Sequence, residues 1–222
     1  MAFNVAIDGP AGAGKSTIAK KLAKQMGFVY VDTGAMYRTI ALRVLELGAD
    51  GRDEAAVTEA CKELDISIRY EKGEQQVYLN GENVTDRIRA EEVGMMASLV
   101  SSYAAVREKL TQLQQKMAEK QDVVMDGRDI GTAVLPRAQV KVYLTADAEV
   151  RAMRRYAELQ ARGEMCDMEA IKADILRRDS QDMNRAISPL KKAPDAIEVD
   201  CSHMTIDEVV SVVVKQIMLR RG

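Results

Sequence analysis

The run Gly9-Pro10-Ala11-Gly12-Ala13-Gly14-Lys15-Ser16-Thr17 constrains this chain more than any other stretch. It fits G-x-x-x-x-G-K-[ST], and it lies in the setting that pattern needs. Phe3 to Asp8 reads as a buried strand, and Ile18 to Met26 as a helix with Ile18, Leu22 and Met26 on one face. Glycines let a backbone wrap closely round a polyphosphate, and the loop N–H groups and helix N-terminus then point at anionic oxygens. Lys15 is placed to reach the β- and γ-phosphates, and the Ser16 hydroxyl to ligate Mg²⁺. A glycine-rich turn that binds nothing would not need strand, loop, Lys and Ser in one register.

With 222 residues the chain is one domain, or a core carrying inserted subdomains. The 47% hydrophobic content supports a real core, and a formal charge of −2 gives no global attraction to nucleic acid or membrane. No apolar run is long enough for a transmembrane helix, and no basic stretch followed by an apolar one marks a signal peptide, so a cytoplasmic protein is expected. Cys61, Cys166 and Cys201 are widely spaced and suit a reducing compartment. His203 is the only histidine, which argues against His-rich zinc sites and a Ser-His-Asp triad.

Strands and helices alternate. Phe28–Asp32 reads as a strand, and Ala35–Leu47 and Glu54–Leu64 as helices. Ile66–Tyr70 alternates with period two, Glu71–Glu74 is a turn, Gln76–Leu79 a second strand and Asn80-Gly81 a tight-turn signal; together they predict a β-hairpin insert. Helical character returns over residues 90–119. Val123–Asp126 and Val140–Leu144 read as core strands, residues 147–163 and 168–183 as helices, Ala196–Val199 as the last strand and Ile206–Leu219 as the closing helix. Such βα repeats predict an α/β fold, a parallel sheet covered on both faces. No dimer stripe stands out, so a monomer is expected.

Three further stretches carry chemistry. Asp32-Thr33-Gly34-Ala35-Met36-Tyr37-Arg38 ends a strand, where parallel sheets build their ligand crevice; Arg38 could clasp a phosphate bidentately, or the stretch could be a helix cap with a surface Arg. Asp126-Gly127-Arg128-Asp129-Ile130-Gly131-Thr132 also ends an apolar strand, and its Asp126 resembles the Mg²⁺-associated Asp of phosphate-loop enzymes. Arg151, Arg154 and Arg155 share one helix, and Arg177, Arg178 and Arg185 lie on or after the next. Such arginines suit the charge that phosphoryl transfer develops, although Asp174, Asp179 and Asp182 are near enough in sequence to pair with some of them. No Asn-Lys-x-Asp guanine motif occurs.

Asp-Thr-Gly-Ala-Met-Tyr-Arg at 32–38, Gly-Arg-Asp-Ile-Gly-Thr at 127–132 and Arg-Asp-x-x-Asp-x-Asn-Arg-Ala at 178–186 together resemble the bacterial cytidylate kinases, over about residues 3 to 219. The resemblance implies a five-stranded parallel sheet with flanking helices, a nucleotide-binding insert at about 34–118 and a short helical lid at about 151–166. It implies that Gly9 to Thr17 hold ATP. Thr33, Tyr37, Arg38, Ser98, Arg107, Arg128 and Asp129 would contact CMP or dCMP, and Arg178, Asp182 and Arg185 would sit over its sugar and phosphate or the transferring group. Lys15, Arg128, Arg155, Arg178 and Arg185 would be catalytic, with Arg151 and Arg155 on the lid and Mg²⁺ held at Ser16 with Asp126 beside it. A phosphate monoester is largely a dianion at neutral pH, with a second pKa of about 6, and needs no base. The alternatives are a kinase of UMP or a small hydroxyl metabolite, with Asp32 or Asp129 as base, and a nucleotide-sensing switch without turnover.

Overall fold

The computed structural model describes residues 2–62, 64–71 and 73–222. Glu63 in the expected third helix and Lys72 in the expected hairpin turn lie outside the described residues. The chain divides into two compact units, Met1–Tyr30 with Lys120–Gly222, and Val31–Glu119.

The strands of the main sheet are β1 (Asn4–Asp8), β2 (Val29–Asp32), β6 (Val123–Gly127), β7 (Val140–Thr145) and β8 (Ile197–Asp200), ordered β2-β6-β1-β7-β8. The β1·β6, β1·β7 and β7·β8 ladders are parallel, with Ile7 opposite Asp126 and Val142. This is the expected α/β sheet. The inner strands β1 and β6 are almost wholly buried, whereas the edge strand β8 alternates with exposed Glu198 and Asp200; burying each Val, Ile or Leu contributes about 1.5–3 kcal/mol. In the first unit α1 (Lys15–Met26) and α8 (Ile206–Arg221) pack near these strands. Ile18 and Leu22 from α1 and Val213 and Ile217 from α8 join Val5, Ile7, Val124, Val142 and Leu144 in one core. Thr205 opens α8 with a capping box, accepting from the Glu208 N–H while the Glu208 carboxylate accepts from the Thr205 N–H at 2.8 Å. The remaining helices of this unit are α6 (Ala148–Ala161) and α7 (Met168–Asn184), which pack on each other.

The second unit holds α2 (Thr33–Glu46), α3 (Glu54–Lys62), α4 (Glu91–Val100) and α5 (Ala104–Lys120). Met36, Ile40, Val44, Val57, Val93, Val100 and Leu110 are among its buried apolar residues. It also carries an antiparallel sheet of β3 (Ile66–Glu71), β4 (Glu74–Leu79) and β5 (Glu82–Asn83). The expected hairpin is therefore three-stranded. Asn80 and Gly81 both take positive φ, 49° and 85°, the geometry of a two-residue turn that sends the chain back as β5. The expected helical span 90–119 is broken at Ser101–Tyr103. There Arg107 N–H donates to the Tyr103 carbonyl to restart the helix, and the Tyr103 hydroxyl donates to the Gly51 carbonyl at 3.0 Å. Among the described residues no helix is long and apolar enough to cross a membrane.

Candidate active site

The phosphate loop joins β1 to α1. Gly9, Gly12 and Gly14 all have positive φ. At Gly9 the demand is also spatial, because a Cβ there would lie 2.0 Å from the Leu144 carbonyl oxygen on β7. The loop is held from outside by its own backbone groups. Ala11 N–H donates to Asp179 Oδ1 at 3.0 Å, and the Ala11 carbonyl accepts from Arg151 at 2.8 Å. The Cys201 thiol donates to the Ala13 carbonyl at 3.3 Å. Arg151 completes the frame with an ion pair to Asp179 at 2.6 Å and a bond from Nε to the Ala146 carbonyl at 2.8 Å. The Arg151 head, expected to move over the phosphates, is in this structure a buried strut between α6, α7 and the loop. Its fork geometry suits three acceptors at once.

Lys15 is buried and donates to the Pro10 carbonyl at 2.6 Å. Burial pushes its ammonium down to about 7, helped by the charge of Arg128 and opposed by Asp126, Asp182 and Asp8. Ser16 Oγ donates to Asp126 Oδ2 at 2.9 Å, and the Tyr30 hydroxyl donates to Asp126 Oδ1 at 3.0 Å. A hydroxyl and a carboxylate are hard oxygen donors, and this pair at the loop–helix junction fits Mg²⁺.

A band of alternating charge follows. Arg128 Nε donates to Asp182 Oδ2 at 2.8 Å. Arg185 reaches Asp129 Oδ1 at 3.2 Å, Asp182 at 3.8 Å and the Ser188 carbonyl at 2.7 Å. Arg178 lies 3.7 Å from Asp174, and burial, with Arg128 nearby, lowers its pKa. Arg155 is more exposed and pairs with Glu158 at 3.0 Å. Lys15, Arg128, Asp129, Asp182 and Arg185 thus belong to one set of linked charges in the first unit.

Asp8, at the end of β1, is buried and accepts from the Ile130 and Gly131 N–H groups, each at 2.7 Å. Burial outweighs those bonds and raises its carboxyl to about 6. Ile130–Val134 forms a single wide helical turn, closed by Val134 N–H to the Asp129 carbonyl and Leu135 N–H to the Ile130 carbonyl.

In the second unit Asp32 caps α2, its side chain accepting from Ala35 N–H at 3.0 Å, which places Thr33 on the first turn and Tyr37 and Arg38 on the second. Tyr37 and Arg107 come together, the guanidinium carbon 5.7 Å from the ring centroid. Arg107 also donates to the Ser101 carbonyl at 3.2 Å, and the Ser101 hydroxyl to the Ser98 carbonyl at 2.8 Å. Arg38 lies against Gly94 of α4, where a Cβ would come within 2.9 Å of its terminal nitrogen. Gln75 of β4 accepts from the Asp32 N–H at 2.9 Å, continuing a strand-like pairing with a side chain.

Asp8, Tyr30, Gln75 and Asp179 were absent from the residues expected in the site. Asp8 left a signal, an acid closing a largely apolar strand beside the loop, and so did Asp179, an acid among clustered arginines. The family model described as Cytidylate kinase matches residues 5–219. This chain belongs to the cytidylate kinase family. It is 52% identical to the cytidylate kinase of Bacillus licheniformis over 92% of this chain and 91% of that one. To the cytidylate kinase of Geobacillus kaustophilus it is 46% identical, over 99% and 98% of the two chains. Among solved structures, a gluconokinase from Sinorhizobium meliloti 1021 superposes with a TM-score of 0.52 at 12% identity, covering 99% of this chain and 94% of that one. An uncharacterized protein from Eubacterium ventriosum gives 0.54 at 15% identity, covering 98% and 99%. These two likenesses concern the fold alone; family membership rests on the sequence matches.

Proposed function

We propose that this cytidylate kinase family member transfers the γ-phosphoryl group of ATP to CMP, and to dCMP, forming CDP or dCDP and ADP. A phosphate oxygen of the acceptor attacks the γ-phosphorus while the bond to the β–γ bridging oxygen breaks, and no proton has to be removed from the acceptor dianion. The observation that supports this reading is the paired state of both carboxylates, Asp32 and Asp129, either of which could serve a hydroxyl acceptor as base. Asp32 accepts from the Ala35 N–H, and Asp129 pairs with Arg185 at 3.2 Å. Cations, not a base, remain to do the work.

The phosphate loop, Gly9 to Thr17, holds ATP, and Lys15 meets its transferring phosphate. Arg128, Arg178 and Arg185 neutralise the charge that builds during transfer, and Asp129 and Asp182 orient those guanidinium groups as well as the acceptor. Thr33, Tyr37, Arg38, Ser98 and Arg107 contact CMP within the inserted unit. Ser16, with Asp126 beside it, would hold Mg²⁺, which would offset the negative charge of the phosphates. Arg155 contacts phosphate from the segment at about 151–166, acting as a lid. The enzyme works as a monomer in the cytoplasm, a placement in keeping with its near-neutral charge and widely spaced cysteines.

The test is ADP release with a panel of CMP, dCMP, UMP, a small hydroxyl acid and no acceptor. ADP should appear only with an acceptor, fastest with CMP, with CDP as co-product. Acceptor-independent ADP, a preferred hydroxyl acceptor or no turnover would each overturn the reading.

A further inference from the structure

Asp8 is the last residue of β1 and the one directly before Gly9. Its two carboxylate oxygens accept from N–H groups 122 and 123 residues further along the chain, both at 2.7 Å. The first N–H groups of a helical turn have no partner within that turn. Asp8 supplies partners for two of them, capping the Ile130–Val134 turn from another strand. The residues immediately before that turn are Arg128 and Asp129, whose own partners are Asp182 and Arg185. One side chain thus ties the start of the phosphate loop to the base of the Arg128–Asp129 pair. Gly131 fits this contact, since a Cβ there would lie 3.3 Å from Asp8 Oδ2 and 3.2 Å from Lys141 Cδ.

We propose that Asp8 is a positioning residue for the acceptor in phosphoryl transfer: by holding the turn after them, its carboxylate sets where Arg128 and Asp129 stand relative to the phosphate loop. This rests on the transfer to CMP proposed above. Asp8 acts through these neighbours and does not itself touch either nucleotide. A buried carboxylate is destabilising compared with an apolar residue of similar size, and at this position the two N–H bonds give it a use that an apolar residue could not fill.

The experiment uses the full chain with Asp8→Asn, Asp129→Ala and the double variant. It measures titration of CMP and of a non-hydrolysable ATP analogue, with kcat and KM for each substrate. Asp8→Asn keeps the shape but turns an amide NH₂ toward a backbone donor. CMP affinity should fall by roughly threefold to tenfold, because only part of the cost of a lost buried hydrogen bond is felt where Arg128 and Asp129 meet the acceptor. Affinity for the ATP analogue should change less than about twofold, and the loss for CMP should be less than additive with Asp129→Ala because both act on one contact. Gly131→Ala, whose Cβ presses on the carboxylate by a few tenths of an ångström while leaving Asp8 in place, should show the same pattern more weakly, and it carries the test if Asp8→Asn does not fold. Equal losses for both nucleotides, or full additivity with Asp129→Ala, overturn the inference while leaving the functional reading intact. A wild-type protein that neither binds nor phosphorylates CMP overturns that reading, and the inference with it.

Discussion

At Lys15 function and stability pull against each other. Burial lowers its pKa to about 7 in the folded protein, whereas a polyphosphate beside it would favour the charged form. Lys15→Met keeps the volume and removes the charge, so phosphotransfer should fall by roughly 10²–10³ while the fold persists. The unliganded variant should also be more stable than the wild type. The folded-state pKa lies below the ordinary value of 10.5, so between about 7 and 10.5 the unfolded chain keeps a proton the folded chain sheds. The lysine's cost is therefore full below about pH 7 and is relieved as pH rises through that window. Thermal unfolding of both proteins from about pH 6 to 9 should show the variant's advantage shrinking as pH rises. A difference that stays constant would mean that Lys15 is not the buried charge its surroundings make it.

Helix α6 is fixed at its root and more exposed beyond it. Arg151 is locked to Ala11, Ala146 and Asp179, while Arg155, one turn on, pairs with an exposed Glu158. Any closure over phosphates should pivot beyond Arg151. With a bisubstrate analogue bound, amide exchange should slow from Arg155 to Gly163 and stay unchanged around Arg151, and cytidine alone should have little effect. Slowing along the whole helix, or the same slowing with cytidine, would refute that pivot. The elements differ in how far local sequence announced them. Asn80-Gly81 was legible because a turn needing two positive φ values has few sequence solutions, whereas β5 is two exposed polar residues with no alternation to read. The turn at Ile130–Val134 was invisible because its partner, Asp8, comes from a distant strand. Charge pairs followed the same division. Asp174 with Arg177 and Arg178 follows from helical spacing, but Arg151 with Asp179 and Arg185 with Asp129 depend on packing. The motif residues could therefore be named from sequence, while most of the pairings that hold them in place depend on packing between distant elements.

Across the whole molecule, the strand that comes first in sequence within the main sheet lies at its centre. β1 pairs with β6 on one side and β7 on the other, both encoded beyond residue 120, whereas Val31–Glu119 is continuous in sequence and compact by itself. Long-range pairing must overcome a larger loop-closure entropy than local pairing. In refolding followed by pulsed hydrogen exchange, amides of α2, β3 and β4 should therefore gain protection before those of β1 and β7. Simultaneous protection would indicate a single cooperative step. During synthesis the consequence is a waiting time. At roughly 5–20 residues per second, the strand Asn4–Asp8 leaves the ribosome on the order of ten seconds before its first neighbour exists. For that interval an apolar β-segment has both edges unpaired, the condition under which nascent chains associate with one another or are taken up by chaperones.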